Sequence, residues 1–219
     1  MDFLKFDQIV PYIPYITQGV WVTLSFVSVA LIIGLILGII ISILKISRYT
    51  ILRLGADFYT SLFRGTPLIL QLAIFYFGLP QMGIDITAYQ AGILAFGLNS
   101  AAYVSEIIRA GIQAVDKGQV EASKALGVSN RHMMINIILP QAFKNILPAL
   151  FNEFINLTKE SAIVSTIAVT DIMRRAQIVN AQVGLYLETL LFVGLIYYTL
   201  VMGLTLIGRL LERRLKRGD

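Results

Sequence analysis

Apolar residues along this chain gather into long runs, and polar residues are confined between them. No charge appears between Asp7 and Lys45. At about 20 residues per crossing, that run is too long for one straight membrane span. The PYIPY segment at 11–15 divides it, because proline removes a donor and resists helix continuation. Residues 8–18 therefore read as an interfacial lead-in and 20–44 as a first span, with Trp21 near the lipid boundary. A second span ends near Leu79, just before Pro80, and begins between Leu54 and Thr66. A third covers 87–105 and a last one 189–208, followed by the basic tail at 209–219. The fourth crossing, 143–160, differs from the others because it contains Glu153, Lys159 and Glu160. Residues 161–170 (SAIVSTIAVT) are apolar but too short to span, and read as a re-entrant or gating segment lining a cavity.

Five spans place the two termini on opposite sides. The basic tail puts the C-terminus in the cytoplasm and the N-terminus outside, since short loops rich in Lys and Arg stay inside. Lys45, Arg48, Arg53 and Arg64 then fall inside, with Arg109, Lys117, Lys124, Arg131 and Lys144. The 80–86 connection, placed outside, has no basic residue, whereas Arg174 and Arg175 are exceptions to the rule. Gly34, Gly38 and Ser42 recur every fourth position, a spacing that lets helix backbones approach closely in lipid; a glycine-tolerant, lipid-facing helix is the alternative.

Composition sharpens this reading. The chain has 219 residues, 57% hydrophobic and only 14% charged, with a mean hydropathy of +0.75. One soluble core could not hide that much apolar surface, so the chain reads as an integral membrane protein. The net charge of +5 is spread over loops. No basic run interleaves with aromatics in a soluble segment, and a nucleic-acid partner is not expected. There is no cysteine and one histidine, His132, so no metal centre or catalytic constellation is expected. The N-terminus lacks the basic start and cleavage site of a removable signal.

The longest polar connection, about 106–144, reads as two short helices. Asp116 caps the first, GQVEASKAL, and Gly127 supplies a left-handed stop. Ser129 caps the second, NRHMMINII, which Pro140 ends or kinks. Such an amphipathic loop has the form of a docking element. Its sequence, EASKALGVSNRHMMINIILP, resembles the EAA loop of bacterial ABC importer permeases. Glu121, Ala122, Gly127, Ile137, Leu139 and Pro140 fall on that pattern without an insertion, and Ser123 replaces its second alanine. GVWVTL at 19–24, RGTPLILQL at 64–72, NSAAYVSEIIRAGIQAVDKGQ at 99–119 and NEFINLTKESAI at 152–163 resemble the polar amino-acid branch of the family, which handles His, Glu, Gln, Arg and opines.

The resemblance implies an all-α integral membrane protein with the type I (MetI-like) permease fold, one permease domain over 1–219, in the cytoplasmic (inner) membrane. It implies a second permease copy, a cytosolic ABC ATPase dimer that carries ATP and Mg, and an extracytoplasmic solute-binding protein. Glu121, Ala122, Ser123, Gly127 and Arg131 would then face the ATPase; a solvated loop face without a partner is the alternative. No G-x-x-x-x-G-K-[ST] phosphate loop occurs in the chain, which agrees with ATP hydrolysis on a partner.

The charged span is the candidate solute site. On a helix, Ala149, Glu153, Asn156 and Glu160 share one face, and Asn152, Asn156 and Lys159 form an adjoining stripe. A charge at bilayer centre costs about 2.5–3.5 kcal/mol on insertion scales, so this face should look into the bundle or a watery cavity. Either it fixes helix packing through ion pairs, or it binds an amino acid. A net acidic lining would suit arginine, lysine, histidine or glutamine and disfavour glutamate and aspartate. Gly65 and Thr66, in the RGTP break, are a second candidate. Asn99 either lines the path or makes an interhelical hydrogen bond. The rival readings are an ion-coupled secondary carrier using Glu153 and Glu160, and a membrane-embedded enzyme.

Overall fold

The charge-free opening run becomes one long helical path. The computed structural model describes residues 4–216. Two short 3-10 turns, Phe6–Gln8 and Val10–Tyr12, lead into α1 (Ile13–Thr17) and then α2 (Gly19–Lys45). Pro11 and Pro14 sit in the first turn of their segments, where a missing N–H costs nothing, so they start turns rather than interrupt a helix. The expected span at 20–44 matches α2 closely.

The second expected span is broken in two. α3 (Thr50–Gly65) and α4 (Leu68–Gln81) lie at 101° to each other across Thr66 and Pro67. Thr66 is extended, at φ −120° and ψ 146°, the conformation that a following proline favours. α4 does not stop before Pro80. It contains a π-turn at Ile74–Gly78 and then runs through the proline. The same device recurs later. A π-turn at Met134–Ile138 precedes Pro140, and the helix continues. An extra residue in the turn relieves the clash between a proline ring and the carbonyl one turn back. Pro140 therefore does not end the loop's second helix, which runs on through it into the charged span.

α5 (Ala88–Gln113) starts at a capping box formed by Thr87 and Gln90. It runs eight residues past the end of the expected third span, so Glu106 and Arg109 ride on the helix rather than in the following loop. α6 (Lys117–Ala125) and α7 (Asn130–Met133) form the loop, and α8 (Leu139–Glu160) is the charged span. The segment at 161–170 holds a 3-10 helix, Ser161–Ile167, and a left-handed Ala168 at φ 63°. α9 (Ile172–Val183) and α10 (Tyr186–Lys216) follow. Among the described residues there is no strand. Among the described residues four helices are long and apolar enough to cross a membrane, or five if the bent α3–α4 pair counts as one span.

α2 and α5 form the centre of the bundle. A Cβ on Gly34 would lie 2.7 Å from Ser100 Oγ, and one on Gly38 2.7 Å from Val104 Cγ1, so the two backbones meet along this stripe. Phe26, Val27, Ala30, Leu72, Phe96, Leu157 and Val164 fill the core around them. A second cluster, with Ile16, Ile172, Ala176 and Val179, packs α1, α9 and α10 at one end. A third, with Val115, Met133, Ile138, Ala142 and Ile146, packs the 114–129 loop at its own end.

Candidate functional site

The break between α3 and α4 is held open by side-chain amides. Gln71 Nε2 donates to the Phe63 carbonyl at 2.9 Å and to the Thr66 hydroxyl at 2.8 Å. Asn99, buried on α5, donates to the same Phe63 carbonyl at 3.1 Å and to Gln71 Oε1 at 3.0 Å. The last carbonyls of α3, which the break leaves without helical partners, are satisfied in this way. A cavity of about 180 Å³ opens beside the break, lined by Leu62, Phe63, Thr66, Leu70, Gln71 and Phe75. Asn99 and Thr66 thus belong to one network, through the interhelical hydrogen bonding weighed above. Gly65 is exposed, with open space where a side chain would stand. Gln71 was missed in the sequence; its one signal was a glutamine inside the apolar run LILQLA.

The face expected to carry Glu153, Asn156 and Glu160 is divided. Glu153 is 7% exposed and turned into the bundle, whereas Asn152, Asn156, Lys159 and Glu160 lie exposed. Glu153 has Ser100 of α5 beside its carboxylate, and that hydroxyl completes no well-formed hydrogen bond. Among the described residues Glu153 takes part in no ion pair. A neutralising Lys159 is therefore not what holds it there.

The ion pairs sit elsewhere. Glu106 bonds Lys45 from α2 and receives Arg109 Nη2 at 2.6 Å, with Arg64 Nη1 of α3 at 3.9 Å. Lys45 also donates to Thr60 at 2.8 Å and stands 3.4 Å from Asp57. At the opposite end, Asp171 caps α9 by accepting from Arg174 N at 2.8 Å, and it accepts from Tyr197 OH at 3.2 Å. Burial pushes its carboxyl from the ordinary 3.8 up to about 6. Arg175, an exception to the charge rule, donates to the Tyr15 carbonyl at 3.0 Å and lies over the Tyr15 ring. It ties α9 to α1, which is a local reason for an arginine at this position.

The loop has the two caps its sequence predicts. Asp116 accepts from Gly118 N at 2.6 Å, and Ser129 from His132 N at 3.4 Å. Gly127 has φ +71°, the region where a side chain is strained. Ser123 is buried and donates to the Gln119 carbonyl at 2.6 Å, so the hydroxyl that replaces an alanine methyl is satisfied locally. Glu121, Ala122, Leu126 and Arg131 face outward, Leu126 with 82% of its surface open.

A helix bundle with a broken span, a buried unpaired carboxylate and an outward-facing helical loop has the makings of a transport subunit, and the comparisons agree. The family model for the binding-protein-dependent transport system inner membrane component matches residues 17–217. The arginine transport system permease protein ArtQ of Bacillus subtilis (strain 168) is 58% identical over 217 residues, 99% of each chain. The putative glutamine transport system permease protein GlnP of Rickettsia bellii (strain RML369-C) is 50% identical over 206 residues, 94% of each. A solved amino acid ABC transporter with histidines contains a chain with a TM-score of 0.94 and 44% identity, covering 96% of this chain and 99% of that one. The architecture is the type I permease fold of ABC importers. This chain belongs to the family of binding-protein-dependent transport system inner membrane components.

Proposed function

We propose that the chain is the membrane-spanning subunit of an ATP-driven importer that passes polar amino acids, with cationic ones such as arginine preferred. One observation carries the substrate class: among the described residues Glu153 is buried in the bundle with no cation paired to it. A buried carboxylate without a partner is costly, and an incoming guanidinium or ammonium removes that cost. The relatives named for arginine and glutamine, and the neighbour with histidines, support the same class. The Asn99–Gln71–Thr66 network and Gly65 border the path beside it, and Asn156 and Glu160 line its open side.

The 114–129 loop, together with α7 after it, is the ATPase contact in this reading. Glu121, Ala122, Gly127 and Arg131 face the partner, while Ser123 packs beneath them. ATP and Mg belong to that ATPase. A second permease copy completes the path, a solute-binding protein delivers from outside, and the basic C-terminus lies in the cytoplasm.

Glu153→Gln keeps the shape and removes the charge. Losing a charge-assisted bond worth about 1.5–3 kcal/mol predicts arginine uptake at limiting solute reduced by roughly ten- to a hundredfold. Uptake equal to wild type removes the assignment. Accumulation by this chain alone in vesicles, driven by an ion gradient without the ATPase, would establish the ion-coupled carrier instead.

A further inference from the structure

We infer that Glu106 is a positioning residue that carries motion of the 114–129 loop into the broken α3–α4 helix. This rests on the proposed docking of an ATPase on that loop.

The carboxylate divides its two oxygens between helices. Oε1 holds Lys45 at the end of α2. Oε2 holds Arg109, one turn further along α5, at 2.6 Å from Nη2 and 3.1 Å from Nε. Arg64 reaches the same oxygen at 3.9 Å and lies 5.5 Å over the Tyr103 ring. Lys45 and Glu106 are largely withdrawn from solvent, with 8% and 18% of their side chains exposed, so screening at the centre of the cluster is weak. Three cations meet two carboxylates here, and among the described residues the ion pair of Asp57 is with Lys45. Without Glu106, the cations of three helices would lose their common partner.

Position gives this cluster a mechanical role. Below Glu106, the last turns of α5 are fused to the loop and the start of α8. Ile108 and Ile112 pack on Val115, Met133, Ile138 and Ala142, and a Cβ on Gly111 would stand 2.3 Å from Ile146 Cγ1. A push on the loop must therefore move the end of α5 as one body. Beyond the cluster, Arg64 is the last charged residue before the Gly65–Thr66–Pro67 break, whose geometry Gln71 and Asn99 set. Among the described residues, Glu106 is the side chain that pairs with cations on both sides of this route. A network with one shared carboxylate moves as a unit, which is the property a transmitted rigid-body shift needs.

The test uses proteoliposomes containing the permease with its ATPase and solute-binding protein, with arginine as the solute. The quantity read is the ratio of solute-stimulated to basal ATP hydrolysis, alongside complex yield and melting temperature. Glu106→Gln is expected to reduce that ratio at least fivefold, and uptake with it, while basal hydrolysis persists. Arg64→Gln, remote from the loop, is expected to do the same. Asp57→Asn, which removes an exposed ion-pair partner of Lys45 but not the shared carboxylate, should leave the ratio within twofold of wild type. A static bolt would lower yield and melting temperature without moving the ratio, and that pattern overturns the proposal. If Glu106→Gln does not assemble, Arg64→Gln decides alone: an unchanged ratio overturns the proposal, and a collapsed one supports it. Failure of the underlying reading looks different, because the wild-type chain would then show no ATPase association or solute stimulation at all.

Discussion

Glu106 and Glu153 stand on helices that pack against each other, α5 and α8, yet the two carboxylates live in opposite surroundings. Glu106 is ringed by Lys45, Arg64 and Arg109 and keeps some access to water. Glu153 is buried more deeply and has a serine hydroxyl for a neighbour. A charge whose partners are built into the protein contributes to the architecture, while a charge left without them keeps its binding capacity for a visitor. Chemical identity alone would not separate the two residues. Their neighbours do.

The strongest way to break this contrast is to disturb the helix that serves both sites. α5 carries Glu106 and presents Ser100 to Glu153, and it is seated on α2 through Gly34. A side chain at 34 would meet Ser100 Cβ at 2.8 Å and Ala101 N at 3.3 Å, so part of the obstruction is backbone. Gly34→Val forces the helices apart and is predicted to cost about 1–3 kcal/mol or more. The expected result is a sharp loss of monodisperse protein in detergent and of uptake together. Wild-type yield and melting temperature in that variant would show that the α2–α5 contact is not what sets the two environments.

A milder cut separates path geometry from charge. Asn99→Ala leaves both carboxylates in place but removes two hydrogen bonds, at 3.1 and 3.0 Å, and strands Gln71 Oε1 in a buried site. The predicted loss is about 1–3 kcal/mol, visible as a lower melting temperature with the substrate preference retained. A change of preference toward acidic amino acids, with no loss of stability, would instead assign Asn99 to solute contact.

These features were unequally legible in the sequence. α2 could be placed because its run has no charge, and the caps at Asp116 and Ser129 because they act within three residues of themselves. Gly127 was legible because a turn between two short helices calls for a positive φ. The Glu106 cluster and the Gln71 clamp were not, since the partners that join them to other helices, Lys45 and Asn99, lie 61 and 28 residues away along the chain. Falling hydropathy after Ser105 marked a loop boundary, but nothing in EIIRAGIQ breaks a helix, and the backbone continues to Gln113. Of the stripe through Glu153 only Glu153 turns inward, and what packs beside each member of α8 was not written in its spacing. The bridging of Pro80 and Pro140 by π-turns also has no local signature, because the turns before them, IFYFG and MINII, share no residue pattern.

Asp171 supplies the finest test of the contrast, being buried like Glu153 but held by hydrogen bonds, as Glu106 is held by cations. It is 1% exposed, accepts from Arg174 N and Tyr197 OH, and forms no ion pair among the described residues. With its carboxyl raised from 3.8 to about 6, the native state holds the proton more tightly than the unfolded chain does. The sign follows from linkage: this contribution to stability is fully present below the ordinary carboxylate value and is lost as pH rises through about 6. Asn serves as well as Asp at a helix N-cap and keeps an oxygen for Tyr197, so Asp171→Asn removes the titration with little else changed. Wild type should therefore gain melting temperature relative to Asp171→Asn as pH is lowered from 7.5 to 4, with the variant at least as stable at the alkaline end. Other carboxylates titrate in both proteins and cancel in the difference, which leaves this one group exposed to measurement. A difference that stays flat across that range would mean that the buried carboxyl is compensated as fully as Glu106, and the distinction between paired and unpaired acids would then have to rest on Glu153 alone.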